Sequence, residues 1–308
     1  MKILLAIKNG FFRSLKAWKG IFIFWVISFF SVSLVVVPLK AGLKSSLGSS
    51  MITEKLVKGI DIDVLGDLGT NLHSMISFLT SGLLILSLLA VLLNIFFTGG
   101  LFDLVKKSSA GFSSENFFRA SARNFWSYAL ITLMLYLIII ALIIVVIVIP
   151  VSAARNAESA PEGMVFRILE VCLSAFMLIM ALILLVADYA RAWQSSRTQS
   201  AGFKALGYGF SQTFRTFLSS FPLMLSMLIL QAIVAWVMIK VIAGIIPSKG
   251  GGVFLLFIIS QFVFFLKLFI KILRYGSVTS MMEQNLHEEA GEKELPVISY
   301  AEQTDLNI

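Results

Sequence analysis

Groups that catalyse reactions or bind metals are scarce in this sequence. Its 308 residues include one cysteine and two histidines. Cys172 has no partner within the chain, so the sequence excludes an intrachain disulfide. Five long apolar stretches separate His73 from His287 and place them on opposite sides of the predicted membrane. Neither a histidine metal site nor a histidine-assisted nucleophile is therefore expected, and we predict a protein that is not an enzyme and needs no cofactor.

Charged residues are also few. They make up 14% of the chain, whereas 58% of the residues are hydrophobic and the mean hydropathy is +0.93. A water-soluble domain does not need that much apolar surface. The net charge of +8 comes from basic residues scattered between apolar stretches rather than gathered on one face. We therefore predict an integral membrane protein without a nucleic-acid partner.

Long apolar stretches are what the sequence has in abundance. A helix needs about 20 apolar residues to cross a hydrocarbon core of about 30 Å. Six stretches are long enough, which predicts an all-α integral membrane fold with six transmembrane helices. The predicted spans are 20–39, 75–98, 128–150, 165–187, 220–246 and 253–273.

The distribution of Lys and Arg predicts the orientation of these spans. Seventeen of the 25 basic residues lie on the side of the two termini. Positive charge near helix ends is retained in the cytoplasm, so we predict a multi-pass protein of the bacterial inner membrane with both termini cytoplasmic. Residues 1–282 form the predicted transmembrane domain. Residues 283–308 are acidic and polar, which predicts a disordered cytoplasmic tail.

A basic, aromatic segment precedes each odd-numbered span, and we call these segments the first, second and third elbows. The sequence comparison aligns Phe11-Phe12-Arg13-Ser14 with Phe117-Phe118-Arg119-Ala120 and Phe203-Lys204-Ala205-Leu206. Such segments suit the membrane surface, where basic residues meet the head groups of anionic lipids. The pattern predicts three parallel repeats, each an elbow and two spans. The predicted lipid-facing residues of the elbows are Arg13, Lys16, Trp18, Arg119, Arg123, Trp126, Lys204 and Arg215.

Few polar residues lie inside the spans, and those that do are the first places to look for a functional contact. Asn94, Gln231 and Gln261 are uncharged amides, which serve either to join helices or to contact a substrate. Lys267 and Lys271 are close to a helix end, so we interpret them as interfacial anchors.

The even-numbered spans end in charged residues. If the repeats are real, these helix ends occupy equivalent positions in the three repeats, and their side chains gather where the bundle meets the cytoplasm. The alternative is that each charge pairs locally. The predicted cluster consists of Asp103, Asp188, Arg191 and Arg274.

Two segments carry a resemblance to known families. The run from Asn116-Phe117-Phe118-Arg119 through Trp126, and the run from Asp188-Tyr189-Ala190-Arg191 through Phe203, resemble uncharacterised prokaryotic multi-pass membrane families with elbow helices. Among them is the membrane domain attached to some glycerophosphodiester phosphodiesterases. The resemblance extends over residues 1 to about 282 and implies a membrane fold. It implies no phosphodiesterase activity, because no stretch has the composition of that soluble domain.

These observations favour one function and leave another open. We expect a non-enzymatic inner-membrane protein that is a subunit or scaffold of a larger membrane assembly and has anionic lipids as partners. The alternative is a permease-type transport component for a lipid or small molecule, energised by a separate subunit. A lipid-modifying enzyme is disfavoured because no nucleophile, base and stabilising group converge.

Overall fold

The computed structural model describes residues 2–47, 70–106, 112–155, 163–197, 201–245 and 250–294. Within these ranges the chain forms α-helices and no β-strand. The helices are α1 (Lys2–Lys16), α2 (Trp18–Leu47), α3 (Thr70–Leu104), α4 (Ser114–Ile143), α5 (Ile149–Arg155), α6 (Met164–Ser195), α7 (Gly202–Arg215), α8 (Phe217–Ala243) and α9 (Gly250–Glu294). One π-helical turn, Ile144–Val148, joins α4 to α5.

Six helical segments are long and apolar enough to cross a membrane, which confirms the predicted number and the all-α membrane fold. They are Trp18–Pro38, Thr80–Leu104, Ser114–Arg155, Met164–Ser195, Phe217–Ala243 and Gly251–Leu286. The third span includes the π-helical turn. Pro150 lies two residues after that turn. A proline ring clashes with the carbonyl four residues earlier, which here belongs to the turn, so the wider turn accommodates it.

Several helices extend past the predicted spans. The fourth span was predicted to stop before Asp188, yet α6 continues to Ser195. The last helix continues to Glu294, so the predicted disordered tail is helical from 283 to that residue. The rest of the predicted tail, 295–308, lies outside the described residues, as does most of the first loop.

The first and third elbows are separate helices, and the second is not. A single non-helical residue, Ala17, separates α1 from α2, and Thr216 separates α7 from α8 in the same way. In both joints the carbonyl of that residue accepts hydrogen bonds from the N–H groups three and four residues later. The second elbow instead runs straight into the third span within α4.

Buried side chains gather at one end of the bundle, which we call the packed end. The largest fully buried residues there include Phe102, Tyr128, Tyr189, Tyr275 and Met224. Towards the opposite, open end most apolar side chains are exposed: the most apolar stretch of each span is only 6–28% buried. In a bilayer those surfaces face lipid or another protein.

Each elbow packs on the packed end of an even-numbered span. The first elbow packs on α9, the start of α4 packs on α3, and α7 packs on α6. Two of these crossings require glycine. A Cβ at Gly10 would lie 2.6 Å from the backbone nitrogen of Ser277, and one at Gly209 would lie 2.5 Å from the carbonyl oxygen of Val186. The helices can approach this closely only because both residues lack a side chain.

Candidate functional site

The packed end contains a buried ion cluster. The side chain of Asp188, in α6, is fully buried, and Arg274 Nε of α9 lies 2.7 Å from its Oδ2 atom. Arg274 Nη2 also donates a hydrogen bond of 3.4 Å to Asp188 Oδ1. Arg191, one turn further along α6, places Nη1 4.0 Å from the same Oδ1 atom. One carboxylate therefore holds two guanidinium groups in the interior of the packed end.

Two further spans hold this cluster in place. Arg191 donates a 3.1 Å hydrogen bond to the Thr132 hydroxyl, and the Tyr128 hydroxyl donates a 2.8 Å hydrogen bond to the Arg191 carbonyl. Phe102 of α3 stacks on Tyr275 of α9 with ring centroids 4.4 Å apart. The cluster is thus joined to α3 and α4 as well as to α6 and α9.

Asp103 does not join the ion cluster. Its carboxylate lies 2.8 Å from Lys106 Nζ and 3.9 Å from Arg123 Nη2. Of the four predicted cluster residues, the structure brings together Asp188, Arg191 and Arg274 and places Asp103 in a local pair. Asp103 follows the second predicted span, as the prediction requires. It does not reach the ion cluster because Lys106, only three residues later in the turn after α3, pairs with it instead.

A cavity of about 540 Å³ lies beside the ion cluster, between α2, α3, α8 and α9. This volume is in the range of small-molecule sites. Three cations of α9 line it at positions i, i+4 and i+7, so they form one stripe along a helix face. They are Lys267, Lys271 and Arg274.

Two of the three predicted intramembrane amides line the same cavity. Asn94 of α3 and Gln231 of α8 are lining residues, whereas Gln261 is not. The Asn94 side-chain oxygen accepts a hydrogen bond from Lys271 Nζ. That nitrogen also lies 5.5 Å from the ring centroid of Phe24 and 5.6 Å from that of Tyr275. These described contacts of the Lys271 ammonium are all with neutral groups.

The elbow residues take different roles in the structure. Arg13 turns inward, where it donates hydrogen bonds to Glu283 at 2.7 Å and to the Val105 carbonyl at 3.0 Å. Arg119 pairs with Glu115 on the exposed surface of α4. The remaining predicted positions are exposed: Lys16, Trp18, Arg123, Trp126, Lys204 and Arg215. Arg13 is therefore the exception among the elbow residues predicted to face lipid.

Sequence reasoning missed the cationic stripe of the cavity. The position of Lys267 and Lys271 near the end of an apolar stretch predicts interfacial anchors. A signal was present: together with Arg274 they repeat at the spacing of one helix face. Tyr128 and Thr132 were also missed, because their partner Arg191 is on another helix and no local pattern marks it.

Fold and site together define the class: the chain is a multi-pass α-helical membrane protein. A family model described as a protein of unknown function, DUF4231, matches residues 117–220. This region begins in α4 and ends at the start of α8, so it contains the third span from Phe117 onwards, the fourth span and the third elbow. The match covers less than half of the chain. Comparison with curated proteins and with solved structures found no match.

Proposed function

We propose that this protein is a non-enzymatic subunit or scaffold of a larger assembly in the bacterial inner membrane. The observation that supports this role is the exposed apolar surface of α8. Only 6% of its most apolar stretch is buried, the lowest share among the six spans. Its exposed side chains include Ile229, Ile233, Trp236 and Ile239. A transmembrane helix of a partner protein would cover this surface through packing contacts.

Cross-linking and co-purification test the scaffold role. With a photoreactive amino acid in place of Trp236, we expect a partner protein to be cross-linked in stoichiometric amount in cells. The product is purified in polymer nanodiscs and identified by mass spectrometry. The matched control carries the same amino acid in place of Leu137, an exposed apolar residue of α4. A chain that yields the same trace products from both positions would contradict the proposal.

A second function is favoured by the cavity. A transport component needs a substrate site inside the bundle. Under this alternative the substrate would occupy the cavity lined by Asn94, Gln231 and Lys271. Under this alternative the chain is the permease-type part of a transporter for a lipid or small molecule. The same purification distinguishes the two functions, because a co-purifying soluble ATPase would favour transport.

We also propose that the packed end is cytoplasmic and that both termini lie there. The proposal rests on the excess of Lys and Arg on that side. In a C172S background, which removes the sole cysteine, S152C near the open end should react with a membrane-impermeant maleimide in intact cells. S196C at the packed end should react only after the membrane is permeabilised. The reverse pattern of labelling would invert the orientation.

The threefold repeat is a further part of the proposal. Ala6, Gly10 and Ser14 are the buried residues of α1, and Ala205, Gly209 and Thr213 are buried at the same spacing in α7. Gly10 and Gly209 both make the close approach to an even-numbered span. This correspondence pairs Phe11 with Phe210, rather than with Phe203 as in the sequence comparison. In this view the exposed basic and aromatic residues of the elbows lie against anionic head groups at the cytoplasmic surface.

A further inference from the structure

The cavity beside the ion cluster carries an excess of positive charge. Asp188 is the carboxylate that faces Arg274 and Arg191 and, at longer range, Lys271, and no described residue that lines the cavity is acidic. Lys267 and Lys271 add two more cations on the cavity wall. Within the described residues, the cavity and the adjoining ion cluster thus hold four cations and one carboxylate.

Such an excess is costly in a hydrocarbon environment. A charge that leaves water without a partner loses its solvation, and neutral contacts restore only part of it. The Asn94 oxygen and the two aromatic rings near Lys271 are contacts of this neutral kind. An anion between Lys267 and Lys271 would supply the missing opposite charge.

The remainder of the cavity wall is apolar, which restricts the kind of anion that fits. Along α2 the lining runs from Phe24 near the packed end to Val32 towards the open end. Along α3 it runs from Asn94 in the same direction to Leu86. The cationic part of the cavity is therefore at the packed end and the apolar part points towards the middle of the bilayer. A phospholipid in the leaflet at the packed end has its charge and its acyl chains in this order.

We propose that the cavity binds one anionic glycerophospholipid, with its phosphate between Lys267 and Lys271 and an acyl chain along Phe24 and Leu86. Arg274 closes the polar end, where Asp188 holds it in place. A divalent cation does not fit, because every charged side chain in the cavity lining is a cation. This inference goes beyond the scaffold role and does not depend on it, since the site belongs to the single chain.

The test measures lipid retention by the purified full-length chain. Native mass spectrometry is performed after incubation with phosphatidylglycerol or phosphatidylcholine in mild detergent. We expect one phosphatidylglycerol to be retained at least tenfold better than phosphatidylcholine. K267M, a change at an exposed position, and the double variant K267M/K271M should each reduce this preference, and the double variant should abolish it. K240M removes an exposed lysine of α8 that lies outside both the cavity and the elbows, and it should leave the preference unchanged.

A second variant tests the apolar part of the site without altering charge. A90F places a ring on the cavity wall and should reduce retention of phosphatidylglycerol at least fivefold while the protein stays monodisperse in gel filtration. Equal retention of both lipids by the unmodified chain, or an equal loss in K240M, would overturn the proposal. Displacement of the lipid by millimolar inorganic phosphate would also overturn it, because the site would then select a free anion.

Discussion

Replacing Asp188 with asparagine is expected to destabilise the packed end by about 3–5 kcal/mol, the usual cost of removing one partner of a buried ion pair. The amide keeps the size of the side chain but removes the charge that holds Arg274 at 2.7 Å. Arg274 and Arg191 would then remain buried beside each other without a counter-charge. Thermal unfolding of the purified protein in detergent, followed by intrinsic fluorescence, measures the loss.

Two comparisons show whether the effect belongs to the buried charge. E115Q breaks the ion pair with Arg119, whose side chain is 68% exposed, and should cost at most about 1 kcal/mol. The double variant D188L/R274M removes both partners of the central pair and should be more stable than D188N, because the Arg274 charge is no longer left without its partner. If D188N unfolds at the same temperature as E115Q, the ion cluster does not hold the bundle together.

Introducing a single methyl group at Gly209 should destabilise the protein by about 1–3 kcal/mol, the usual cost of overpacking. The Cβ of G209A would lie 2.5 Å from the Val186 carbonyl oxygen and 3.0 Å from the Ala190 Cβ. The carbonyl belongs to the backbone of α6 and cannot rotate away, so α7 must move outward. The melting temperature in detergent is again the measurement.

The same helix offers a matched control for this substitution. A Cβ at Gly207, two residues earlier, would meet nothing within 4 Å. G207A should therefore leave stability unchanged or raise it by up to about 1 kcal/mol, because alanine favours the helix over glycine. If both alanine variants behave alike, the close approach of α7 to α6 does not contribute to stability.

The transmembrane part of the fold follows from hydropathy, but the ends of the helices do not. Apolar length predicts six spans because lipid demands it of every crossing helix. The sequence predicts that the fourth and sixth spans end just before Asp188 and Arg274, since a charged residue normally signals the edge of the membrane. In the structure these two charges neutralise each other across 86 residues of sequence, so both helices continue past them.

The same reasoning explains what was predictable in the candidate site. The charges at the ends of the fourth and sixth spans were expected to meet, and Asp188, Arg191 and Arg274 do lie together. The role of Lys271 was not predictable, because its hydrogen-bond partner Asn94 is 177 residues away. A lysine near a helix end is normally free to reach water. Here the packing of α2 and α3 over α9 places it in a cavity instead.

The docking of α1 on α9 bears on the order in which this protein is built. Asn9 donates a 3.2 Å hydrogen bond to Ser280, and Arg13 reaches Glu283 across 270 residues of sequence. The ribosome makes α1 before the six described spans, whereas its partner surface belongs to the sixth span and is made last of the six. During synthesis the first helix must therefore wait at the membrane surface until the last span is inserted. Closure of the bundle is consequently a late event that depends on the final helix.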